Sequence, residues 1–151
     1  MKKFSFSLQK LLRYKEQLFE AEQTILRDMR AVLLQMEADL QKMQRDRKRR
    51  AEQLREKVAS GITACEMELN QTYIRILEND IEQKHKQIHL QQLAIDKQID
   101  KVREAKIETS TIEKLREKKI DEYNYLANKQ NELFIEEYIT TQRAMGRGIG
   151  R

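Results

Sequence analysis

Proline and tryptophan are missing from the sequence, and glycine is scarce. Gly61 is the only glycine before residue 146. Because proline and glycine are the residues that most often end or weaken a helix, their scarcity favours long uninterrupted helices. Charged residues make up 36% of the 151 residues, more than the usual quarter, so disorder is the competing interpretation. Disorder is less favoured because the apolar residues recur at regular intervals.

The chain has a single cysteine, Cys65, and no long apolar run. One cysteine excludes an internal disulfide and fits a reducing compartment. No stretch approaches the roughly 20 apolar residues that a transmembrane helix needs. The start of the chain carries lysines but lacks the sustained apolar region of a signal peptide. We therefore expect a cytoplasmic protein that does not insert into a membrane.

Motifs of catalysis and cofactor binding are missing as well. The sequence contains no glycine-rich phosphate loop, no cysteine pair and no nucleophile elbow, and Cys65 has no nearby helper residue. His85 and His89 are four residues apart and can share a helix face as metal ligands. No third ligand is evident, and the pattern places His85 on the seam beside Ile81 and Ile88, so seam or surface histidines are favoured over a metal site. We expect no enzymatic activity, no cofactor, no metal site and no small-molecule substrate.

The region around Gly61 has the pattern of a helix reversal. Glycine tolerates the positive φ with which many helices end. Thr63 and Glu66 have the spacing of a capping box, in which the threonine oxygen accepts an amide of the next helix. The sequence therefore predicts one helix from about residue 7 to 58, a turn at 59–63 and a second helix from about 64 to 143.

Both predicted helices carry apolar residues at every seventh position. The rows are Leu12, Phe19, Leu26, Leu33 and Leu40 in helix 1, and Ile74, Ile81, Ile88, Ile95 and Val102 in helix 2. A seven-residue repeat predicts a left-handed supercoil with a partner helix, and the short turn makes the two helices each other's partner. The predicted fold is all-α, an elongated antiparallel two-helix coiled-coil hairpin that forms a single domain over 1–151. A fold-back centre between Ser60 and Gly61 places Leu26 opposite Ile95.

The apolar row of helix 2 ends at Thr109, in a run of three hydroxyl residues at 109–111. Hydroxyl side chains favour caps and kinks, so helix 2 either breaks near Thr109–Thr111 or continues with a polar turn. In the predicted register, residues after about 114 have no partner in helix 1. We therefore expect a C-terminal extension whose apolar face needs a partner, followed by a flexible tail at 146–151.

Helix 1 also carries a basic patch, whose core is Arg45, Arg47, Lys48, Arg49 and Arg50. Such a patch attracts nucleic acid, acidic lipid or an acidic protein, or is simply a solvated helix face. Because no aromatic residues are interleaved for base stacking, a nucleic-acid-binding coiled coil is only an alternative interpretation, and we expect no nucleic-acid partner. A self-associating coiled-coil scaffold is another alternative.

Close to the turn, helix 2 has too many large apolar residues for one seam: Tyr73, Ile74, Ile76 and Leu77. Those that face away from helix 1 form a local cluster or bind a partner, and the sequence leaves both open.

Three stretches resemble one known family, the FliJ proteins of bacterial flagellar export. They are Phe4-x-Phe6-x-Leu8-x-x-Leu11-Leu12-x-x-Lys15, then Gly61-Ile62 with Tyr73-Ile74-x-x-Leu77-x-x-x-Ile81-Glu82-Gln83, and Arg116-Glu117-Lys118-Lys119 with Asn131-Glu132-Leu133 and Tyr138. The resemblance covers nearly the whole chain. The glycine-rich end after Met145 departs from the family pattern.

This resemblance implies a non-enzymatic stalk of the flagellar type III export apparatus, and hence a role in motility and chemotaxis. In that family the end bearing both termini enters the ring of the export ATPase and promotes its hexamerisation. The other end contacts the cytoplasmic part of the export-gate protein FlhA, and some members also escort export chaperones. The protein would then be cytoplasmic and peripherally associated with the membrane-embedded apparatus. The equivalent stalk of a virulence injectisome is the alternative within this class.

The resemblance also assigns residues to the two contacts. Tyr73 and Leu77 match the aromatic and leucine pair at the gate. For the ATPase ring we assign the apolar and basic positions near both termini: Leu8, Leu11, Arg13, Leu133 and Tyr138.

Overall fold

A computed structural model describes residues 2–148, which fold into two α-helices. Helix α1 spans Gln9–Ser60 and helix α2 spans Ala64–Gly148, and the two pack against each other as a helical hairpin. The described part of the chain contains no strand. The predicted all-α hairpin is therefore confirmed. Residues 2–6 are non-helical, residues 7 and 8 form a turn, and helix α1 begins at Gln9.

Only three residues separate the helices, and each helix end there has an identifiable cause. Gly61 has a φ of +92°, and its amide donates to the carbonyl of Val58 at 3.3 Å. A side chain would be strained at this φ, so glycine ends α1 without a steric penalty. The hydroxyl oxygen of Thr63 accepts the amide of Glu66 at 3.2 Å, which caps the start of α2.

The chain divides into two units, each built from a piece of both helices. We call Glu20–Glu104 the turn unit, and we call the described parts of residues 1–19 and 105–151 the terminal unit.

The seam of the turn unit mixes apolar and polar layers. Leu26, Ile88 and Ile95 are its buried apolar residues. A second row of α2 also faces α1, and it contains Lys84, Gln91 and Gln98 at intervals of seven. The methionines of α1 are half-buried along this seam: Met29, Met36 and Met43. Leucine, isoleucine and methionine supply the burial here, while the glutamines make directed contacts.

Two glutamines of α2 hydrogen-bond across the seam to the backbone of α1. Gln91 Nε2 donates to the carbonyl of Met29 at 3.1 Å. Gln98 Nε2 donates to the carbonyl of Glu22 at 3.0 Å and also to the Glu22 carboxylate. Because each bond joins one particular pair of residues, these polar layers fix the register of the helices in addition to the turn.

In the terminal unit, α2 does not break at the run of hydroxyl residues. Thr109 and Thr111 each donate to the carbonyl four residues earlier, those of Ala105 and Ile107, at 2.8 Å. Within a helix these bonds satisfy the hydroxyl groups, so the run stays helical. Thr109 is only 2% exposed and α1 contributes the buried Leu12 to the same unit, so a threonine occupies a core position of the terminal unit.

The N-terminal segment at residues 2–8, which we call the strap, packs on α2. The Tyr123 hydroxyl donates to the carbonyl of Lys2 at 2.7 Å, and the Phe4 ring meets the Tyr123 ring edge-on with centroids 5.5 Å apart. The sequence predicts that α2 has no partner after about residue 114. The strap instead covers α2 as far as Tyr123, roughly one heptad or more further along, because it precedes α1 in the chain and continues the contact with α2.

Beyond the strap, every described residue from 128 to 147 is exposed. Helix α2 nevertheless continues to Gly148, so the first part of the predicted flexible tail at 146–151 lies inside the helix. Residues 149–151 of that predicted tail lie outside the described residues.

Candidate functional site

The surface near the turn contains Tyr73, which the sequence singles out, but its ring is partly occupied within the chain. The guanidinium carbon of Arg50 lies 3.8 Å from the centre of the Tyr73 ring. This cation–π contact joins the basic patch of α1 to the aromatic residue of α2. Tyr73 remains 42% exposed, so its other side is available to a partner.

Leu77 belongs to the seam rather than to the outer surface. It is half-buried, and it lies seven residues before Lys84 in the polar seam row of α2. The structure therefore separates the two residues in position: Leu77 lies in the seam of the hairpin, and Tyr73 lies on the outer surface.

Two apolar residues that the site assignment missed lie on the same outer face as Tyr73. Leu69 is 66% exposed and Ile76 is 53% exposed. The spacings of four and three residues along 69, 73 and 76 place these three side chains on one face of α2. We call them the turn-unit face. The same spacing is present in the sequence and could have identified Leu69 and Ile76, but the site assignment follows the Tyr73 and Leu77 pair of the family resemblance.

The basic patch is partly neutralised by contacts within the turn unit. Arg47 donates through Nε and Nη2 to one carboxylate oxygen of Glu78, at 2.9 and 2.6 Å. Arg49 pairs with Asp46 at 3.1 Å, while the exposed Arg45 and Lys48 form no salt bridge within residues 2–148.

Helix α2 adds an opposing charge beside this patch. Residues 64–83 contain five carboxylates and only one basic residue, Arg75, so their net charge is −4. Residues 42–57 have a net charge of +5, from eight basic and three acidic residues. The two stretches face each other across the turn and nearly cancel, which weakens long-range attraction to a polyanion.

The residues assigned to the ATPase ring all lie in the terminal unit, but in two different surroundings. Leu8 is half-buried in the strap, whereas Leu11 and Arg13 are exposed on the first turns of α1. Leu133 and Tyr138 are 52% and 59% exposed on the uncovered end of α2.

These residues therefore do not form one cluster. The uncovered end of α2 also exposes Phe134 and Ile139, and neither of these is among the residues assigned from the sequence.

A cavity of about 510 Å³ lies between the strap and α2 in the terminal unit. Its apolar lining includes Phe4, Phe6, Leu8, Leu115 and Leu126. Lys2, Lys3 and Lys119 also line it, together with one acidic residue, Glu122. The lining thus combines apolar side chains with three lysines and one glutamate, which suits an apolar segment carrying negative charge.

His85 is exposed rather than on the seam, where Lys84 lies half-buried instead. The prediction that placed His85 on the seam is wrong because the row starting at Leu77 takes that side of the helix. No group of three or more potential metal ligands occurs among residues 2–148. No helix within the same residues is long and apolar enough to cross a lipid bilayer.

The hairpin therefore has two exposed apolar surfaces, the turn-unit face and the uncovered end of α2, and such surfaces suit binding to other proteins. Searches of the curated proteins and of the solved structures gave no significant match to the chain. A family model described as the flagellar FliJ protein matches residues 4–148, nearly the full length of the chain. The chain therefore belongs to the FliJ family and is a flagellar export-related protein.

Proposed function

We propose that this protein is a non-enzymatic stalk that inserts into the ring of the flagellar export ATPase, promotes its hexamerisation and links it to the export gate. The observation that supports this most is the uncovered end of α2. Every described residue from 128 to 147 is exposed there, although the stretch includes Leu133, Phe134 and Tyr138. An apolar helix end of this kind gains free energy when a protein cavity such as a ring encloses it.

The turn-unit face is the proposed contact for the cytoplasmic part of the gate protein FlhA. Leu69, Tyr73 and Ile76 present an apolar row with an aromatic at its centre, as many hot spots of protein interfaces do. Leu77 acts indirectly in this proposal, because it holds the α2 backbone against α1 beneath that face.

The remaining parts of the proposal follow from membership of the family. The protein works in the cytoplasm, is peripherally associated with the membrane-embedded apparatus, and escorts export chaperones in addition to its stalk role. The match to the flagellar family supports a flagellar setting over a virulence injectisome. The near-cancellation of charge around the turn argues against the nucleic-acid alternative.

Titration into the purified export ATPase tests the ring contact. The wild-type protein should raise both the fraction of hexamer and the rate of ATP hydrolysis. Leu133→Ser combined with Tyr138→Ser should weaken both effects, because it removes two of the exposed apolar side chains of the uncovered end. The matched control is Leu90→Ser, which changes an exposed leucine of the turn unit and should leave both effects intact. If the wild-type protein changes neither hexamerisation nor turnover, the stalk proposal is wrong.

Binding to the cytoplasmic part of FlhA tests the second contact. Tyr73→Ala combined with Ile76→Ala should weaken binding at least about tenfold, as loss of central interface residues does. The far-UV circular dichroism should stay unchanged, because both side chains are largely outside the seam. Unchanged binding by this folded variant would move the gate contact elsewhere on the protein.

A further inference from the structure

The excess of positive charge in residues 2–148 lies at the start of the chain. In the turn unit, residues 20–104 contain 16 basic and 16 acidic residues, which cancel. In the terminal unit, residues 105–127 contain five of each and residues 128–148 contain three of each, so both stretches of α2 are neutral. Residues 2–19 contain five basic residues and one acidic residue, so their net charge is +4.

Most of these cations are free to contact a partner. Four of the five are exposed and form no salt bridge within residues 2–148: Lys2, Lys3, Lys10 and Arg13. The fifth, Lys15, is half-buried, and its Nζ lies 2.7 Å from the carboxylate of Glu108. The first acidic residue of the sequence is Glu16, so no acidic side chain lies among these cations in the sequence.

The first turns of α1 also expose an apolar row. Leu11, Tyr14 and Leu18 are 40%, 55% and 37% exposed, whereas the neighbouring Leu12 is buried in the seam. Spacings of three and four residues place the three exposed side chains on one face of the helix, which we call the entry face. Lys10 precedes Tyr14 by four residues, so this exposed cation borders the entry face.

A lipid surface with negatively charged headgroups offers contacts to both features. The headgroups attract exposed lysine and arginine side chains, and the boundary between headgroups and acyl chains accepts apolar side chains. Tyrosine is common at this boundary, because its ring is apolar while its hydroxyl stays hydrated. A nucleic-acid backbone offers the same negative charge but no apolar surroundings for Leu11 and Leu18. The combination therefore favours a lipid surface over a nucleic acid.

We propose that the exposed cations of residues 2–13 and the entry face bind the surface of a bilayer that contains anionic phospholipid. Helix α1 contacts the bilayer from its side and does not cross it. This inference goes beyond the proposed function, in which proteins alone hold the chain at the export apparatus, and it does not depend on that function. Leu11 and Arg13 are also assigned to the ATPase ring, so the lipid surface and the ring would compete for them.

The basic patch of the turn unit is the alternative lipid contact, and its surroundings disfavour it. Residues 42–57 have a net charge of +5, but residues 64–83 face them across the turn with a net charge of −4. Arg47 is also paired with Glu78. Because opposite charges so close together nearly cancel, the attraction to a distant anionic surface is weak there.

Co-sedimentation of the full chain with lipid vesicles tests the proposal. We expect binding to vesicles of phosphatidylcholine mixed with phosphatidylglycerol, and little binding to vesicles of phosphatidylcholine alone. The binding should weaken as salt increases, because salt screens the attraction between the cations and the headgroups. Duplex DNA in place of the vesicles should bind more weakly, because it offers no apolar contact to the entry face.

Charge reversal identifies which cations bind. One triple variant reverses exposed cations before and within the first turn of α1, and it should lower the vesicle affinity at least about tenfold: Lys2→Glu, Lys3→Glu and Lys10→Glu. A control changes the net charge by the same amount at exposed cations of the turn unit, and it should leave the affinity unchanged: Lys42→Glu, Arg45→Glu and Lys48→Glu. Both variants should keep the far-UV circular dichroism of the wild type.

Tryptophan fluorescence locates the contact independently of charge. The chain has no tryptophan, so Tyr14→Trp introduces a single reporter on the entry face. Its emission should shift to the blue on anionic vesicles, because the indole leaves water for the headgroup boundary. Leu34→Trp places the same reporter at a residue of the turn unit that is 69% exposed, and its emission should not shift.

Three results would overturn the proposal. The first is a wild-type protein that does not bind the anionic vesicles, or that binds duplex DNA more tightly than it binds them. The second is an affinity that falls with the reversal in the turn unit and not with the reversal in residues 2–10. The third is an unshifted emission of the vesicle-bound Tyr14→Trp variant. Hexamerisation and turnover of the export ATPase are measured without lipid, so none of these results decides the stalk proposal.

Discussion

Gln98 of α2 donates its side-chain amide to the backbone carbonyl of Glu22 at 3.0 Å and to the carboxylate of the same residue. Gln98 is 5% exposed, so this pair forms a buried polar layer next to the buried Ile95. A shift of either helix by one residue separates the two partners and leaves the glutamine amide buried without an acceptor. Such a layer costs some stability compared with two apolar residues, but it penalises wrong registers.

Gln98→Ala should destabilise the hairpin by about 1–3 kcal/mol, because it removes both hydrogen bonds and leaves the half-buried Glu22 carboxylate without a donor. Urea denaturation followed by far-UV circular dichroism measures the change. The matched control is Gln92→Ala on the exposed side of α2, which should stay within about 0.5 kcal/mol of the wild type. Equal stability of the two variants would mean that the Glu22 contact does not hold the seam.

The sequence was sufficient to predict the reversal and the apolar seam, because both depend on local rules. A glycine that tolerates positive φ, followed by a threonine three residues before a glutamate, specifies the ends of two helices without tertiary information. The seven-residue rows specify which sides of the helices meet, and Leu26 and Ile95 are both buried as that pattern requires. Their burial also agrees with the predicted register near the middle of the turn unit.

Contacts that depend on polar side chains crossing between helices could not be predicted in the same way. A glutamine every seven residues looks like an interruption of the apolar pattern until a backbone carbonyl on the other helix accepts from it. In the sequence Thr109 likewise looks like the end of the apolar row, because the pattern does not show the bond to the Ala105 carbonyl that satisfies its hydroxyl when it is buried. The strap was missed because residues 2–8 follow no helical period and pack through Phe4 and a backbone carbonyl.

Thr63→Ala should lower the free energy of unfolding by about 1 kcal/mol, since the amide of Glu66 loses the oxygen that caps α2. Thr63→Ser keeps a hydroxyl at the same position and should recover most of the loss. Urea denaturation again provides the comparison. A serine variant as unstable as the alanine variant would indicate that the methyl group of Thr63, rather than its oxygen, is what stabilises the turn.

Leu77→Ala should destabilise the hairpin by about 1–2 kcal/mol, less than a fully buried leucine because part of the residue is exposed to solvent. Leu69→Ala removes a leucine of the same size that is 66% exposed, and it should change the stability by no more than about 0.5 kcal/mol. Thermal unfolding of both variants distinguishes the seam from the turn-unit face. Similar losses for the two would place Leu69 in the core and remove it from the proposed gate contact.

Tyr123→Phe should loosen the strap without melting the helices. The substitution removes the hydroxyl that donates to the carbonyl of Lys2 but keeps the ring that contacts Phe4. Loss of one such hydrogen bond, about 1 kcal/mol, should raise the population of the open strap about fivefold. Amide hydrogen exchange reports this opening through Gln9, whose amide donates to the carbonyl of Phe6 at 3.1 Å.

Phe4→Ala should accelerate exchange of the same amide, because it removes the other anchor of the strap on Tyr123. Tyr125→Phe serves as the matched control, since Tyr125 is exposed and does not line the strap cavity. It should leave the exchange of the Gln9 amide unchanged, and all three variants should keep the helical circular dichroism of the wild type. If Tyr123→Phe and Phe4→Ala exchange no faster than Tyr125→Phe, neither contact with Tyr123 holds the strap on α2.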